Sequence, residues 1–107
     1  MTAPKIPTRE SHIEAYLVKR AKELGGEVRK VKWIGRTGAP DRLVMLPERM
    51  HPTVIDLDEP AATIWVELKA PGKKPEPHQI REHARMRKMG QRVEVIDSYE
   101  GVDEVLS

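Results

Sequence analysis

The sequence predicts an α/β fold in which helices flank a mixed β-sheet, with the element order α-β-β-β-α-β. Two segments repeat apolar residues every three or four positions, as amphipathic helices do, and four shorter segments are apolar or alternating, as strands are. Short connections between the first three strands favour antiparallel pairing. The helix that precedes the last strand favours a parallel pair, so the sheet is expected to be mixed.

The first helix is predicted over residues 8–24, where apolar side chains share one face and the pair Gly25-Gly26 stops the helix. The apolar positions are Ile13, Leu17, Ala21 and Leu24. Such a stripe can lie against a sheet.

Three strands are expected next. Residues 27–34 alternate, residues 43–46 form an apolar run that ends at Pro47, and residues 63–68 are β-branched and aromatic. The intervening residues 48–62 contain prolines and acids without a sustained period, which indicates a loop or a hairpin extension.

The second half contains one clear helix and one clear strand. After the proline-rich turn at residues 71–77, a helix is predicted over residues 78–89 and ends at Gly90. Residues 92–97 read as the last strand, and a short helix follows from Tyr99.

Length and composition narrow the class of protein. The chain of 107 residues allows a single domain, residues 1–107 with a core of about 9–98. There is no cysteine, which excludes disulfides, thiolate metal ligands and cysteine nucleophiles and fits a reducing compartment. No apolar run reaches the ~18 residues of a membrane span, and residues 1–12 do not form a signal peptide. A cytoplasmic protein without a membrane partner is therefore expected.

Acidic and basic side chains are predicted to meet at the end of the third strand. Glu67 and Lys69 are two residues apart and share a face, while Leu68 points to the opposite face. If Asp41 begins the neighbouring strand, its carboxylate lies within reach of Glu67. Two carboxylates and a main-chain carbonyl, that of Leu68, form the oxygen-rich site that Mg²⁺ requires. Phosphodiester hydrolysis is the chemistry that this site favours.

The acid-x-Lys pattern alone is weak support for that reading. With 17 acids in the chain, roughly 1.4 such patterns are expected by chance, and one is present. The alternative is an ordinary salt bridge between solvated strand ends. The context adds weight, because the pattern ends a strand and the turn Gly38-Ala39-Pro40 leads directly into Asp41.

Longer motifs point to a known family. They are Arg9-Glu10-Ser11-His12-Ile13-Glu14, Gly38-Ala39-Pro40-Asp41-Arg42-Leu43-Val44, Val66-Glu67-Leu68-Lys69-Ala70-Pro71-Gly72-Lys73, and Gln79 downstream. In this order and spacing the chain resembles the virus-type replication-repair nuclease (VRR-NUC) domain, a branch of the PD-(D/E)xK nucleases. The resemblance covers residues 9 to about 98.

The resemblance implies a restriction-endonuclease-like fold, DNA as substrate and Mg²⁺ or Mn²⁺ as cofactor, without a small-molecule cofactor. Stand-alone members of this size, from bacteria or phages, are homodimers that cleave four-way (Holliday) junctions in DNA repair and recombination, whereas members fused to larger proteins act on flaps. The cytoplasm of a bacterial or phage-infected cell is the compartment this implies.

Carried over by position, the resemblance makes Asp41 and Glu67 metal ligands and Lys69 the catalytic lysine. It places Gln79 at the start of a helix, where its side chain could contact the site or the DNA backbone. The acid from the first helix stays ambiguous, because Glu10 and Glu14 are four residues apart and share one helix face. Either could be the metal ligand, and either could be a solvated helix acid.

Charge is distributed unevenly along the chain. Residues 72–92 carry seven bases against two acids, whereas residues 48–67 carry one base against five acids. The basic stretch suits the DNA backbone, and its candidate contacts are Lys73, Lys74, Arg81 and Arg85. Further bases could extend this surface, although strand alternation would send some of them to opposite faces: Arg29, Lys30, Lys32, Arg36 and Arg42. The alternative is a solvated amphipathic helix.

The sequence also allows other functions. The alternatives are a non-catalytic DNA-binding subunit of the same fold, a flap-directed or nicking nuclease, and a sequence-specific restriction endonuclease. No pair of histidines has the four-residue spacing of a helical zinc site, and His78 and His83 are expected at the surface. The dimer interface is expected at residues 48–62 and on the apolar face of residues 99–106.

Overall fold

The computed structural model describes residues 8–49, 53 and 59–107 of the chain. In order, the elements are α1 (Glu10–Glu23), β1 (Glu27–Lys30), β2 (Arg42–Leu46), β3 (Ala62–Leu68), α2 (Pro77–Lys88), β4 (Val93–Ile96) and α3 (Tyr99–Leu106). This order confirms the predicted α/β class, including the short terminal helix.

The four strands form one sheet in the order β1-β2-β3-β4. β1 pairs with β2 and β2 with β3 in antiparallel fashion, and β3 pairs with β4 in parallel after the α2 crossover. The mixed pairing is the one that the connection lengths predict. The first strand is shorter than predicted, since β1 ends at Lys30 and residues 31–41 leave the sheet as a loop.

The hydrophobic core lies on one face of the sheet, under α1 and α3. Strand side chains that alternate along β3, namely Ile64, Val66 and Leu68, project into it. From the helices come Ile13, Leu17, Ala21, Val102, Val105 and Leu106. α2 lies on the other face and packs against β4, which leaves Trp65 and Glu67 of β3 on the α2 side. None of the helices in the described part of the chain is long and apolar enough to cross a membrane.

The terminal helix α3 packs against α1. Tyr16 donates a hydrogen bond to Asp103, Arg20 pairs with the same carboxylate at 3.2 Å, and Tyr16 and Tyr99 form an edge-to-face pair. The apolar face of α3 is therefore buried in the core.

The predicted dimer interface on α3 is wrong, because Val102, Val105 and Leu106 are covered by α1 and the sheet of the same chain. The second part of that prediction, residues 48–62, lies largely outside the described residues.

The loop between β1 and β2 is seated on α2 through Gly38. This glycine has φ +83°, a conformation that L side chains rarely adopt. A Cβ atom built on Gly38 would lie 2.8 Å from the carbonyl oxygen of His78, at the start of α2. The close approach fixes the turn before Asp41 against the helix.

We expect Gly38→Ala to destabilise the fold more than Gly35→Ala. Both glycines have positive φ, so each alanine costs about 1–2 kcal/mol of backbone strain. No atom of the described chain lies within 4 Å of a Cβ at Gly35, whereas the clash at Gly38 adds about 1–3 kcal/mol. Urea unfolding of the two variants measures the difference, and equal losses would contradict the tight seating of Gly38.

Candidate active site

The sheet register places Asp41 opposite Glu67. β2 and β3 are antiparallel with Arg42 opposite Val66, so the next position outward pairs Asp41 with Glu67. Residues that face each other in an antiparallel pair project from the same side of the sheet, with Cα atoms about 4.5–5.5 Å apart. The geometry expected from the sequence is therefore present: one acid immediately before β2 and the other near the end of β3.

Glu67 is a buried acid, with 8% of its surface exposed. The pKa of Glu67 is raised from 4.5 to about 7. Burial is the largest cause, the negative charges of Asp41 and Glu10 add to it, and the positive charges of Lys69 and Arg42 oppose it. Ionising this carboxylate in the folded chain is costly, because burial removes water from it and the nearby acids repel it. A group that brings positive charge to this point would relieve both effects.

His83 is the buried neighbour of Glu67, with only 1% of its surface exposed, so its expected surface position is wrong. Its Nε2 lies 3.6 Å from Glu67 Oε1 and has no hydrogen-bond partner, while the ring also bonds to the backbone of Gly38. Burial and the charge of Arg87 lower the pKa of His83, which favours a neutral ring at neutral pH. The imidazole therefore joins α2, the Gly38 turn and Glu67.

Sequence reasoning missed His83 although its helix carried a signal. The buried positions of α2 are Glu82, His83 and Met86, which are spaced as one helix face. That face is mostly polar, so a search for apolar periodicity does not find it.

Arg42 is the second residue that the sequence did not place in the site. Its side chain is 11% exposed and bridges two acids, with 2.7 Å to Glu14 and 2.9 Å to Asp41. Although burial lowers the pKa of Arg42, the bonds to Glu14 and Asp41 more than offset this and raise it overall. The guanidinium therefore stays charged and holds Asp41 beside the start of β2.

The two acids of α1 have different surroundings. Glu14 is bound to Arg42 and lies 3.8 Å from Lys30, so its charge is already neutralised. Glu10 is exposed, makes no described ion pair, and raises the pKa of Glu67 through its charge. Of the two acids, Glu10 is therefore the one whose negative charge acts on Glu67 and is not paired with a basic side chain among the described residues.

The acids do not form a ready-made metal cage. Among residues 8–49, 53 and 59–107, no three histidine, aspartate or glutamate side chains are close enough together to hold a metal ion. Asp41 is turned toward Arg42, and its side chain is 58% exposed. The donor set nevertheless suits a hard divalent cation, since carboxylate oxygens and uncompensated negative charge meet at Glu67.

Of the remaining predicted site residues, Leu68 and Lys69 adjoin Glu67 in the chain, whereas Gln79 lies in the first turn of α2. Lys69 follows β3 directly, its backbone donates to Ile96 at 2.9 Å, and its charge lowers the pKa of Glu67. Leu68 turns its side chain into the core on the opposite face. Gln79 accepts a hydrogen bond from the backbone N–H of Glu76 at 2.8 Å, so its carbonyl oxygen is used to cap α2.

Two basic clefts share Arg36, and the first of them also contains Asp41. The first, which we call the Trp33 cleft, has a volume of about 540 Å³ and is lined by Lys30, Val31, Lys32, Trp33, Arg36, Asp41 and Arg42. The second, the Arg81 cleft, has a volume of about 340 Å³ and is lined by Gly35, Arg36, Thr37, His78, Arg81, Glu82 and Arg85. Of the predicted DNA contacts, Arg81 and Arg85 line this second cleft, while Lys73 and Lys74 are exposed in the turn before α2.

Comparison with known proteins gives two extensive likenesses. The chain is 44% identical over 90 residues to "Putative nuclease p44" of Acyrthosiphon pisum secondary endosymbiont phage 1, which covers 84% of each protein. It is similar to a solved VRR_NUC domain with a TM-score of 0.72 and 40% identity, over 92% of this chain and 95% of that chain. No protein-family model matches the chain. Both likenesses span most of the two proteins compared, so they concern the whole fold.

We expect Glu67→Gln to stabilise the protein at pH 8 when a chelator is present. The folded pKa of about 7 lies above the ordinary value of 4.5, so folding favours the protonated acid. Stability from this group is complete below pH 4.5 and is lost as the pH rises through 7, by at most about 3 kcal/mol.

Urea unfolding of both proteins between pH 4.5 and 8 measures this difference. At pH 8 the His83 ring is neutral, because its pKa is lowered from the ordinary value of 6.5, so the stability difference at that pH reports on position 67. The stability gap should open as the pH rises, and a glutamine variant less stable than the native chain at pH 8 would contradict the strained state of Glu67.

Proposed function

This chain belongs to the virus-type replication-repair nuclease (VRR_NUC) family, and on that premise we propose that it hydrolyses phosphodiester bonds in branched DNA with the help of Mg²⁺ or Mn²⁺. Membership of the family makes it a nuclease. One observation carries the rest: the buried carboxylate of Glu67 faces Asp41 across the sheet and shares its face with Lys69.

The ion would be held by Asp41, Glu67 and the main-chain carbonyl of Leu68, with Glu10 as a further ligand, directly or through water. Glu14 is the weaker candidate because Arg42 and Lys30 already bind it. When bound, such an ion polarises a phosphoryl oxygen and lowers the pKa of a water molecule.

The protein's own side chains supply the remaining functions. Lys69 orients the attacking water or stabilises the negative charge that develops on the phosphate. Arg42 holds Asp41 at the start of β2, and the buried ring of His83 lies beside Glu67, with Nε2 3.6 Å from Oε1. The basic side chains of the two clefts bind the DNA backbone on either side of the scissile phosphate.

The preferred substrate we propose is a four-way (Holliday) junction, as an intermediate of DNA repair or recombination. Support comes from two basic clefts that meet at one site, since a single straight duplex needs only one path. Resolving a junction takes two symmetric cuts, and each chain offers one site of acids. A two-fold homodimer would present two such sites related by the symmetry of the junction.

Replacement of Asp41 by Asn, or of Lys69 by Ala, should lower DNA cleavage by about 10²–10⁴-fold without unfolding the protein. Both side chains are at least partly exposed at strand ends and contribute little to the core. The assay uses labelled junction, flap, duplex and single-stranded DNA, with and without Mg²⁺.

Glu27→Gln is the matched control, because Glu27 is an exposed acid at the opposite end of β1. It should cut like the native protein. Binding of junctions without cleavage by the native protein would support a DNA-binding subunit instead, and preferential cutting of flaps would support a flap-directed enzyme.

Replacing the two acids of α1 should have different effects on cleavage rate and on stability. We expect Glu10→Gln to lower the cleavage rate with little change in unfolding free energy, since Glu10 is exposed. Glu14→Gln should instead lower stability, because it leaves the nearly buried guanidinium of Arg42 with one acid fewer. Single-turnover rates and urea unfolding provide both readouts. A larger rate loss for Glu14→Gln than for Glu10→Gln would exchange their assignments.

Light scattering at micromolar concentration should give twice the chain mass of 12.2 kDa. With a junction whose two cut strands carry different labels, both strands should be cut within one complex. A mass of one chain on the junction, with strands nicked independently, would contradict the dimer and favour a nicking enzyme.

A further inference from the structure

The loop between β1 and β2 contains a turn at residues 34–38, and the residues on both sides of this turn are hydrogen-bonded to each other. The backbone N–H of Val31 donates to the carbonyl of Asp41 at 2.9 Å, and Trp33 Nε1 donates to the carbonyl of Pro40 at 2.8 Å. The ring of Trp33 also contacts that of Trp65 at a centroid distance of 5.2 Å. The two ends of the loop are therefore hydrogen-bonded to each other, and Trp33 packs on the sheet.

The side of the same turn is attached to α2. Arg36 lies 3.6 Å from the buried carboxylate of Glu82, and Gly38 approaches the backbone of His78 too closely to accept a side chain. The turn thus keeps one orientation relative to both the sheet and α2.

The 34–38 turn begins with an exposed apolar side chain. Ile34 is 92% exposed, the highest value among the large apolar side chains of the described residues. A single exposed isoleucine is ordinary on a protein surface. Its surroundings are less so, because the turn that presents it stands between the Trp33 cleft and the Arg81 cleft, and Arg36 lines both.

Both clefts contain more bases than acids, although Lys30 and Arg42 of the first cleft also pair with Glu14. The bases are Lys30, Lys32, Arg36 and Arg42 in the first cleft, and Arg36, Arg81 and Arg85 in the second. Each cleft contains one acid, Asp41 in the first and Glu82 in the second. A phosphate backbone held in either cleft would pass Arg36 of the 34–38 turn, because this residue lines both clefts.

We propose that the 34–38 turn separates the arms of a branched DNA and that Ile34 inserts between the bases at the branch point. This inference rests on the proposed nuclease function and names what selects the substrate. Apolar side chains on fixed elements unstack neighbouring bases when flanking cations hold the backbone. The stack of base pairs is interrupted at a branch point, so separating neighbouring bases costs less there than within a continuous duplex.

The test measures base unstacking directly. A four-way junction and a continuous duplex carry 2-aminopurine beside the branch point or at the equivalent position. Fluorescence is recorded with the Lys69→Ala protein, which should bind DNA without cutting it. We expect a severalfold rise on the junction and none on the duplex. Adding Ile34→Ser should abolish the rise while junction binding, which the clefts provide, changes little. Ile80→Ser, at a half-exposed isoleucine of α2 outside both clefts, should keep the rise.

An undiminished fluorescence rise after Ile34→Ser would overturn the inference, and so would the absence of a rise already in the Lys69→Ala protein. A change from dimer to monomer in Ile34→Ser would also overturn it, because Ile34 would then be a contact between subunits. If the native protein cuts no DNA in Mg²⁺, the proposed activity fails, but the fluorescence still decides whether the turn enters a branch.

Discussion

A carboxylate is buried where β3 leaves the sheet, and much of the surrounding structure compensates for it. Glu67 is closed in by His83 from α2 and faces Asp41 across the strand pair, so its pKa rises to about 7. Lys69 and Arg42 supply the nearby positive charge. Burying an acid among acids lowers stability, and such a cost is usual where function requires a high local charge density. The site is thus a point of stored electrostatic repulsion that a bound cation would relieve.

The register of the sheet makes this arrangement obligatory. Ile64, Val66 and Leu68 fill the core under α1 and α3, so Glu67 must face α2. A shift of one residue would turn Glu67 into the apolar core and expose its neighbours. The buried core on one face therefore fixes which side chains meet on the other face. The close approach of Gly38 to the backbone of His78 fixes the position of the turn that precedes Asp41.

Most of the fold could be predicted from local patterns, and the acidic pair followed from it. Helical periodicity located α1 and α2, connection lengths gave the pairing of the strands, and the end of β3 located Glu67 and Lys69. The roles of His83 and Arg42 could not be predicted, because their burial depends on how α2 and α1 dock on the sheet. The apolar face of α3 shows the same limit: its pattern indicates that it is covered, but only the docked Tyr16 and Asp103 show that α1 covers it. Glu10 and Glu14 share a helix face in the sequence and differ only because Arg42 reaches Glu14.

The most direct test of this account is calorimetric titration of Mn²⁺ into the protein at pH 7, in buffers of different ionisation enthalpy. Near this pH Glu67 is partly protonated, and a cation that binds its carboxylate must displace the proton. The account predicts that metal binding releases a fraction of a proton and that this release disappears, with most of the affinity, in Glu67→Gln. Binding of equal affinity without proton release in both proteins would contradict it.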